Sequence, residues 1–163
     1  MDPYILQDLN EIAPDLLDTL RQSGLTLSTA ESCTGGNIAH HLTLVAGCSD
    51  VYNGGVVTYS NSAKAHILGV APDVIAQHGA VSEQVVRAMA EGACRAFHTD
   101  CAMATSGIAG PGGGSDEKPV GTVWTAVVTP AGTFAELYHL AGPRSEIIDK
   151  ATLLVMRLLL NKL

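Results

Sequence analysis

The 163-residue sequence predicts a three-layer α/β/α sandwich with a mixed sheet, folded as a single domain over residues 1–163. Three observations support this fold class. Stretches with helical and with strand periodicity alternate along most of the chain, which is typical of α/β proteins. Apolar residues make up 47% of the chain and charged residues 15%, as in globular proteins with a sizeable core. The stretch CAMATSG at 101–107 is almost wholly apolar, as expected for a strand at the centre of a sheet.

The first half of the chain alternates between helical and strand spacing. In the first segment, apolar residues recur every three or four positions, and Pro14 marks a kink or a division into two helices. The segment LTLSTA alternates apolar and polar residues, which indicates a strand. These patterns predict a helix over 4–22 that stops at Gly24, a strand over 25–30, a helix that begins between Ser32 and Gly36 and ends near Gly47, and a strand over 51–60.

The second half begins with two helices, each preceded by a residue that is able to cap its first turn. Asn61 or Ser62 caps a short helix that contains Lys64, and Ser82 caps a longer helix over 83–98. The remaining predicted elements are the apolar strand over 101–107, a Gly/Pro-rich loop over 108–119, a hairpin of strands over 121–130 and 132–141, and an amphipathic helix over about 144–161.

Composition and charge argue against several function classes. The net charge is −7 and the nine Lys and Arg residues are scattered, so the chain offers no extended surface for nucleic acid. None of the four cysteines forms a CxxC pair, which argues against a structural zinc site. The first residues lack the features of a signal peptide, and no apolar run approaches about 18 residues. We therefore expect a cytoplasmic protein without nucleic-acid or membrane partners.

Three polar, glycine-rich junctions follow predicted strands. The first junction is AESCTGG at 30–36, the second is TYSNSAK at 58–64, and the third is TSGIAGPGGG at 105–114. In an open α/β sheet, strand ends of this kind meet at the binding crevice. We therefore expect the three junctions to converge on one site.

In the first junction, Ser32 is the candidate nucleophile. It falls at or beside the predicted helix start, where unpaired backbone N–H groups stabilise an oxyanion or a phosphate. Gly35 and Gly36 allow a substrate to approach the backbone closely. The alternative is that Ser32 or Thr34 only caps the helix. The junction matches neither the GxxxxGK[ST] phosphate loop nor the GxSxG nucleophile elbow.

A nucleophilic serine needs a base, and two kinds of residue are candidates. Of the six histidines, His78 is the strongest because it precedes a glycine at a turn. Lys64 is the other candidate, since it falls in the first turn of a predicted helix, where the helix dipole disfavours a positive charge. Burial would lower the pKa of Lys64 and leave a neutral amine to take the Ser32 proton. The alternative is an exposed lysine with no catalytic role.

The third junction is rich in small residues and backbone donors, which suits a pocket wall around an anionic or planar ligand. Thr105 and Ser106 add hydroxyl donors where the strand ends. The alternative is a disordered surface loop. Asp116 and Glu117, just after this junction, are typical of solvated residues, so a magnesium site there has little support.

Four motifs, in the order of the chain, are similar to those of one known family. They are AESCTGG, VTYSNSAK followed by LGV, QHGAVSE, and SGIAGPGGG followed by KPVGTVW. Over roughly residues 5–160, the chain resembles the CinA C-terminal-domain family, and within it the stand-alone nicotinamide-nucleotide amidases. The resemblance implies hydrolysis of the carboxamide of nicotinamide mononucleotide (NMN) to nicotinate mononucleotide and ammonia, a step of pyridine-nucleotide salvage.

The resemblance also implies a serine–lysine mechanism without a metal or cofactor. By position, Ser32 is the nucleophile, Lys64 is the general base, and Tyr59 assists the proton transfer. Arg144 corresponds to a family arginine, and its planar, permanently charged guanidinium suits a phosphate. For Glu31, a charge partner of Lys64 and a plain structural contact both remain open. The residues predicted to bind substrate are Glu31, Thr34, Gly35, Gly36, Asn61, Thr105, Ser106, Gly107, Gly110 and Arg144.

Family members differ in domain content and in activity. Some carry an additional N-terminal molybdopterin-binding-like domain, which we do not expect in a chain of 163 residues, and some paralogues lack amidase activity. A non-catalytic nucleotide-binding paralogue is therefore one alternative function, and a metal-dependent hydrolase that uses Asp116, Glu117 or His78 is another. We expect a homodimer, since many small α/β enzymes are symmetric oligomers.

Overall fold

The computed structural model describes residues 3–163. All five predicted strands form, and their bounds lie within a few residues of the predicted ones. In chain order the elements are α1 (Pro3–Ser23), β1 (Leu27–Glu31), α2 (Asn37–Thr43), a 3₁₀ turn (Cys48–Asp50), β2 (Tyr52–Val57), α3 (Asn61–Leu68), α4 (Pro72–His78), α5 (Glu83–Phe97), β3 (Cys101–Gly107), β4 (Thr122–Thr129), β5 (Gly132–His139) and α6 (Arg144–Lys162).

The strands form one mixed sheet in the order β2-β1-β3-β4-β5. β1 pairs in parallel with β2 on one side and with β3 on the other, whereas β4 pairs antiparallel with β3 and β5. The chain therefore moves to opposite sides of β1 in two successive crossovers, and ligands bind at such switch points in open α/β sheets. The carboxyl ends of β1, β2 and β3, where the three junctions begin, lie side by side.

Helices cover both faces of the sheet, and each face has its own apolar core. On one face, α1, α2 and α6 pack against a layer that includes Leu27 and Met103. On the other face, α3, α4 and α5 pack against a layer that includes Ala30 and Ala104. This arrangement confirms the predicted three-layer sandwich with a mixed sheet. None of the helices in the described chain is both long enough and apolar enough to cross a membrane.

The alternation predicted for β1 is not matched by its burial. All five residues of β1 are buried, because strands flank both of its edges and helices cover both of its faces. Its polar residues are paired within the protein: Ser28 Oγ shares a 2.7 Å hydrogen bond with Thr99 Oγ1, and Thr29 Oγ1 shares one of 2.7 Å with Tyr52 Oη. The polar residues of β1 therefore do not mark a solvent-exposed face of the sheet.

The helices α1, α3 and α4 differ from the sequence predictions, and the bounds of α2 are described with the site below. α1 runs as one helix through Pro14 instead of dividing there. α4 is absent from the prediction, because its seven residues are too few for a clear apolar repeat, although Pro72 at its start is a helix-initiating signal. α3 is capped by Ser60 and not by Asn61 or Ser62, since Ser60 has an extended backbone and its Oγ accepts a hydrogen bond from the third N–H of the helix at 3.0 Å.

Candidate active site

Ser32 lies in a tight turn between β1 and α2, residues 32–36, which we call the Ser32 turn. The Ser32 N–H donates to the Thr105 carbonyl at 3.1 Å, which ties the turn to the end of β3. The Ser32 carbonyl accepts the Gly35 N–H at 3.1 Å, and Gly35 has a φ of +62°, which glycine adopts without strain. α2 begins only at Asn37. The helix thus begins one residue after the predicted range, around Ser32 to Gly36, and Gly36 is its N-cap, so Ser32 precedes the helix.

The carboxylate of Glu31 occupies the start of α2. Glu31 is buried, and its Oε2 accepts the N–H groups of Gly36 at 2.9 Å and Ile38 at 3.1 Å. Its Oε1 accepts the Ala39 N–H at 2.9 Å, and Oε2 also accepts the Thr34 hydroxyl at 2.7 Å. A carboxylate at this position is stabilised by the positive end of the helix dipole. Glu31 is therefore a structural contact, and these helix N–H groups are not free for an oxyanion, contrary to the prediction.

Two N–H groups of the Ser32 turn remain free. Those of Cys33 and Thr34 donate to no acceptor within residues 3–163, whereas the N–H groups of Ser32 and Gly35 are both occupied. Both free groups directly follow the candidate nucleophile in the chain. Backbone N–H groups in this position are the usual donors to a negatively charged oxygen that forms during acyl transfer.

Lys64 reaches Ser32 from α3. Its Nζ donates to Ser32 Oγ at 3.0 Å and to the Thr58 carbonyl at 2.8 Å. The residue is 1% exposed and forms no ion pair with any described residue. Burial therefore lowers the pKa of Lys64 below its ordinary value. An amine that loses its proton readily thus contacts a serine hydroxyl, as a nucleophile–base pair requires.

The packing of α3 directs this lysine into the protein. Lys64 and Leu68 are one helical turn apart and form the buried face of α3. The acceptor residue Thr58 is fixed in turn, because its own N–H donates to the Glu31 carbonyl at 2.8 Å. The alternative of an exposed lysine is therefore wrong. Sequence patterns do not reveal the Thr58 carbonyl as a partner of Lys64, since every residue carries a carbonyl and only the fold selects one.

Arg144, the first residue of α6, joins the second and third junctions. Its Nη2 donates to Tyr59 Oη at 2.8 Å, and its Nη1 donates to the Gly110 carbonyl at 2.7 Å. Tyr59 is 60% exposed, and its hydroxyl contacts Arg144 and not Ser32 or Lys64. An exposed cation and an exposed phenol therefore lie side by side, and the role predicted for Tyr59 in proton transfer has no direct contact to support it.

The hydroxyl groups of the third junction are occupied within the protein. Thr105 and Ser106 are buried. Thr105 Oγ1 shares a 2.8 Å hydrogen bond with Thr34 Oγ1, and Ser106 Oγ donates at 2.7 Å to a carbonyl just before α5. Gly107 and Gly110 are closely packed, since a Cβ on either would collide with a valine side chain of β4 or of the loop before it. Thr105 and Ser106 are therefore not the free hydroxyl donors that were predicted.

The loop over 108–119 is tied to its surroundings. Lys118 Nζ donates to the His78 carbonyl at 3.0 Å, and the Ile108 N–H donates to the Thr122 carbonyl at 2.9 Å. The QHGAVSE segment before α5 thus contacts the end of the loop. These bonds fix the two ends of the loop, whereas residues 111–117 between them are exposed.

Several candidate residues lie apart from the Ser32–Lys64 pair. Asn61 is exposed and lines a cavity of about 400 Å³ between α3 and α4, which neither Ser32 nor Lys64 lines. No histidine in the described chain hydrogen-bonds Ser32. Asp116 and Glu117 are exposed, and residues 3–163 contain no cluster of three or more His, Cys, Asp or Glu side chains able to hold a metal ion.

Cys33, which follows the candidate nucleophile, is a packing residue. It belongs to a small apolar cluster with Ile147 and Ala151 of α6. Burial raises the pKa of the Cys33 thiol to about 12. A thiol with this pKa stays protonated near neutral pH, so Cys33 does not compete with Ser32 as a nucleophile.

Relatives of known sequence match almost the entire chain. Residues 9–163 match the family described as the CinA C-terminal domain. The chain is 48% identical over 148 residues to the nicotinamide-nucleotide amidohydrolase PncC of Shigella flexneri, with 89% of this chain and 88% of the relative covered. It is also 48% identical over 146 residues to a CinA-like protein of Geobacter sulfurreducens, where 90% of this chain aligns with only 35% of the longer relative.

Solved structures share the same fold. The competence/damage-inducible protein CihA from Agrobacterium tumefaciens superposes with a TM-score of 0.92 at 41% identity, and the match covers 94% of each chain. A CinA superfamily protein from Escherichia coli superposes with a TM-score of 0.93 at 34% identity, covering 96% of this chain and 92% of that one. The family match over nearly all of the sequence and the identity of these relatives agree: the chain belongs to the CinA C-terminal-domain family.

Proposed function

We propose that this chain is an amidohydrolase that converts NMN to nicotinate mononucleotide and ammonia. The observation that carries the proposal is the 3.0 Å hydrogen bond between Lys64 Nζ and Ser32 Oγ, in a buried site where the amine has no ion-pair partner among the described residues. The relative named nicotinamide-nucleotide amidohydrolase, which is 48% identical and similar in length, supports the choice of substrate.

In the proposed reaction, Lys64 is the general base. Its neutral amine accepts the Ser32 proton while Ser32 Oγ attacks the carboxamide carbon, which gives a tetrahedral intermediate. The Thr58 carbonyl accepts a hydrogen bond from Nζ and so keeps the amine oriented. Lys64 then gives the proton to the leaving nitrogen, ammonia departs, and an ester on Ser32 remains. Water hydrolyses this ester with Lys64 again as base, which releases nicotinate mononucleotide and restores the serine.

The negative oxygen of the tetrahedral intermediate needs donors that are already in place. The free N–H groups of Cys33 and Thr34 are proposed for this task, because the donors at the start of α2 are taken by Glu31. Loss of one such donor costs about 10²–10³ in kcat in enzymes where it has been measured. The Ser32 turn, and not the helix behind it, is the proposed oxyanion site.

Arg144 is proposed to bind the phosphate of the nucleotide. Two of its five N–H donors are used by Tyr59 and Gly110, and the remaining donors and the full positive charge suit a phosphate. Tyr59 and the Gly110 carbonyl hold the guanidinium in one orientation. A role for Tyr59 in proton transfer stays a prediction.

Substitution of the pair tests the mechanism. Ser32→Ala and Lys64→Ala should each lower kcat by several orders of magnitude while circular dichroism shows a folded protein. The double variant should be hardly slower than either single variant, because the two residues act as a unit. Ser62→Ala, an exposed serine of the same sequence region, is the matched control. Normal ammonia release by Ser32→Ala would rule out the proposed mechanism.

A direct product assay separates the proposal from its alternatives. Chromatographic detection of nicotinate mononucleotide formed from NMN is expected. Calorimetric binding of NMN without product would identify a nucleotide-binding paralogue instead. Loss of activity in excess chelator, restored by a divalent cation, would favour a metal-dependent hydrolase.

A further inference from the structure

A buried polar contact joins α6 to the start of α2. Asp149 of α6 is 4% exposed, and its Oδ1 accepts a hydrogen bond from Asn37 Nδ2 at 3.1 Å. The same Nδ2 also donates to Thr152 Oγ1 at 3.0 Å. The second carboxylate oxygen of Asp149, Oδ2, is buried and has no hydrogen-bond partner within residues 3–163.

This contact is a poor way to gain stability alone. A buried oxygen without a hydrogen-bond partner destabilises the folded state, and Asp149 forms no ion pair with any described residue that would offset this cost. The same region already contains an apolar contact, because Cys33 packs against Ile147 and Ala151 of α6. The polar contact therefore points to a role in the placement of nearby groups.

The groups nearest to this contact belong to the proposed active site. Asn37 directly follows the Ser32 turn, and its N–H donates to the Thr34 carbonyl of that turn at 3.1 Å. Asp149 lies on the helix whose first residue, Arg144, hydrogen-bonds the second and third junctions. A short series of hydrogen bonds therefore connects the Ser32 turn to α6, and through α6 to the other two junctions.

We propose that Asp149 is a positioning residue that acts through Asn37 to fix the Ser32 turn relative to Arg144 and Lys64. It touches neither Ser32 nor Lys64. Its effect on NMN hydrolysis rests on the proposed function, whereas its effect on the placement of the Ser32 hydroxyl does not. Loss of the contact should therefore slow the attack by Ser32 more than it weakens the binding of a ligand.

A reciprocal exchange of the two side chains tests the proposal. Asn37→Asp places two carboxylates against each other, so it should displace the Ser32 turn. The double variant Asn37→Asp/Asp149→Asn restores one amide-to-carboxylate hydrogen bond with the partners exchanged. Asn37→Ala, which removes the donor without adding a charge, replaces Asn37→Asp if that variant does not fold. Glu146→Gln, which removes the charge of a half-buried carboxylate of the same helix that pairs with Lys150, is the control.

The main readout is the rate at which a fluorophosphonate modifies Ser32, followed by intact-protein mass and divided by the folded fraction. Asn37→Asp or Asn37→Ala should lower this rate about 10-fold to 100-fold, the range expected for a small misplacement of a reacting group. The exchange variant should recover most of the loss relative to Asn37→Asp, and Glu146→Gln should match the wild type. With NMN, kcat should fall in parallel while KM changes little.

Two results would overturn the proposal. One is an equal rate of Ser32 modification in the wild type and in folded Asn37→Asp or Asn37→Ala. The other is a loss in the free energy of unfolding with no change in the modification rate per folded molecule, which would show a purely structural contact. Failure of the wild type to hydrolyse NMN, together with the expected pattern of Ser32 modification, would reject the proposed function and leave Asp149 as a positioning residue.

Discussion

Among single residues, Lys64 has the most unusual environment. Its amine is buried, it lies between the Ser32 hydroxyl and the Thr58 carbonyl, and no carboxylate of the described chain pairs with it. A charged ammonium in such a place lacks the compensation that a salt bridge would give. Burial therefore lowers the pKa of Lys64, and the protonation of this one group should affect both the proposed reaction and the stability of the fold.

The pH dependence of the reaction follows from the neutral amine. Because the proposed general base, Lys64, must be unprotonated, kcat/KM for NMN should rise with pH and level off above the pKa of Lys64 in the free enzyme. Burial places that pKa below the ordinary value of 10.5. Initial rates measured across a series of buffers test this expectation. A rate that falls as pH rises through this range would show that the protonated amine is required instead.

The free energy of unfolding should also depend on pH, because the pKa of Lys64 differs between the folded and the unfolded chain. The unfolded chain binds a proton on Lys64 below about pH 10.5, while the folded chain does so only below its lowered pKa. In that window the unfolded state binds more protons, so wild-type stability decreases as pH falls. The free energy of unfolding of Lys64→Met, relative to wild type, should therefore rise from about pH 10.5 down to the folded pKa and then stay constant. A difference that is independent of pH would contradict a lowered pKa.

The sequence reveals some of these residues and hides others. Lys64 is conspicuous because a lysine in the first turn of a helix opposes the helix dipole, and the structure shows that it is buried. Glu31 is ambiguous, since a glutamate at the end of a strand fits either a charge partner or a cap. The structure shows that Glu31 is a cap, because the chain after Ser32 turns back and places the first N–H groups of α2 against its carboxylate.

At the scale of elements, α2 shows how one side chain sets the bounds of a helix. Glu31 precedes the Ser32 turn, and its carboxylate accepts hydrogen bonds from the N–H groups at the start of α2. The helix therefore begins after this turn, and Ser32 and its neighbours lie outside it. The helix also ends early, at Thr43, although its apolar spacing continues toward Gly47. Sequence periodicity predicts that a helix exists here, but it does not locate ends that are fixed by a tertiary contact.

Replacement of Glu31, which caps α2, should lower the stability of the protein. Glu31→Gln keeps the size of the side chain but loses the charge and one of two acceptor oxygens, and its amide hydrogens meet helix N–H groups. The free energy of unfolding should fall by about 2 kcal/mol or more, because hydrogen bonds to a buried charged group are lost. Urea denaturation measures the change. In the control Glu83→Gln, in the exposed first turn of α5, the change should stay below about 1 kcal/mol. Equal losses in both variants would argue against a special role for Glu31.

At the scale of the whole molecule, the sheet divides into two parts with different tasks. The parallel strands β1, β2 and β3 end in the three junctions, and these meet as the sequence predicts: Ser32 binds the Thr105 carbonyl, Lys64 binds Ser32, and Arg144 connects Tyr59 to Gly110. The antiparallel hairpin of β4 and β5 widens the core. The strand pattern predicts this division, whereas the role of α6 in joining the junctions depends on long-range packing that no local pattern encodes.

The close contact between α5 and α3 affects the position of Lys64, which lies on α3. A Cβ on Gly92 of α5 would overlap the Leu68 carbonyl oxygen at the end of α3, the helix that carries Lys64. An alanine in a helix is ordinarily more stable than a glycine by about 1 kcal/mol. Gly92→Ala should nevertheless lower the free energy of unfolding by about 1–3 kcal/mol, because the two helices must separate. It should also lower kcat through displacement of Lys64. Increased stability with unchanged kcat would show that the helices adjust freely.

The turn at Pro130 and Ala131 between β4 and β5 has a practical consequence. β4 runs antiparallel to β3, with Val128 opposite Ala102 and Val123 opposite Gly107, so this turn lies at the end of the sheet farthest from the Ser32 turn. Its residues are exposed. A peptide tag or a linker to a solid support inserted there should leave the Ser32 turn and the residues around it unobstructed. This turn is therefore a suitable attachment point for immobilisation, at the end of the sheet opposite the proposed active site.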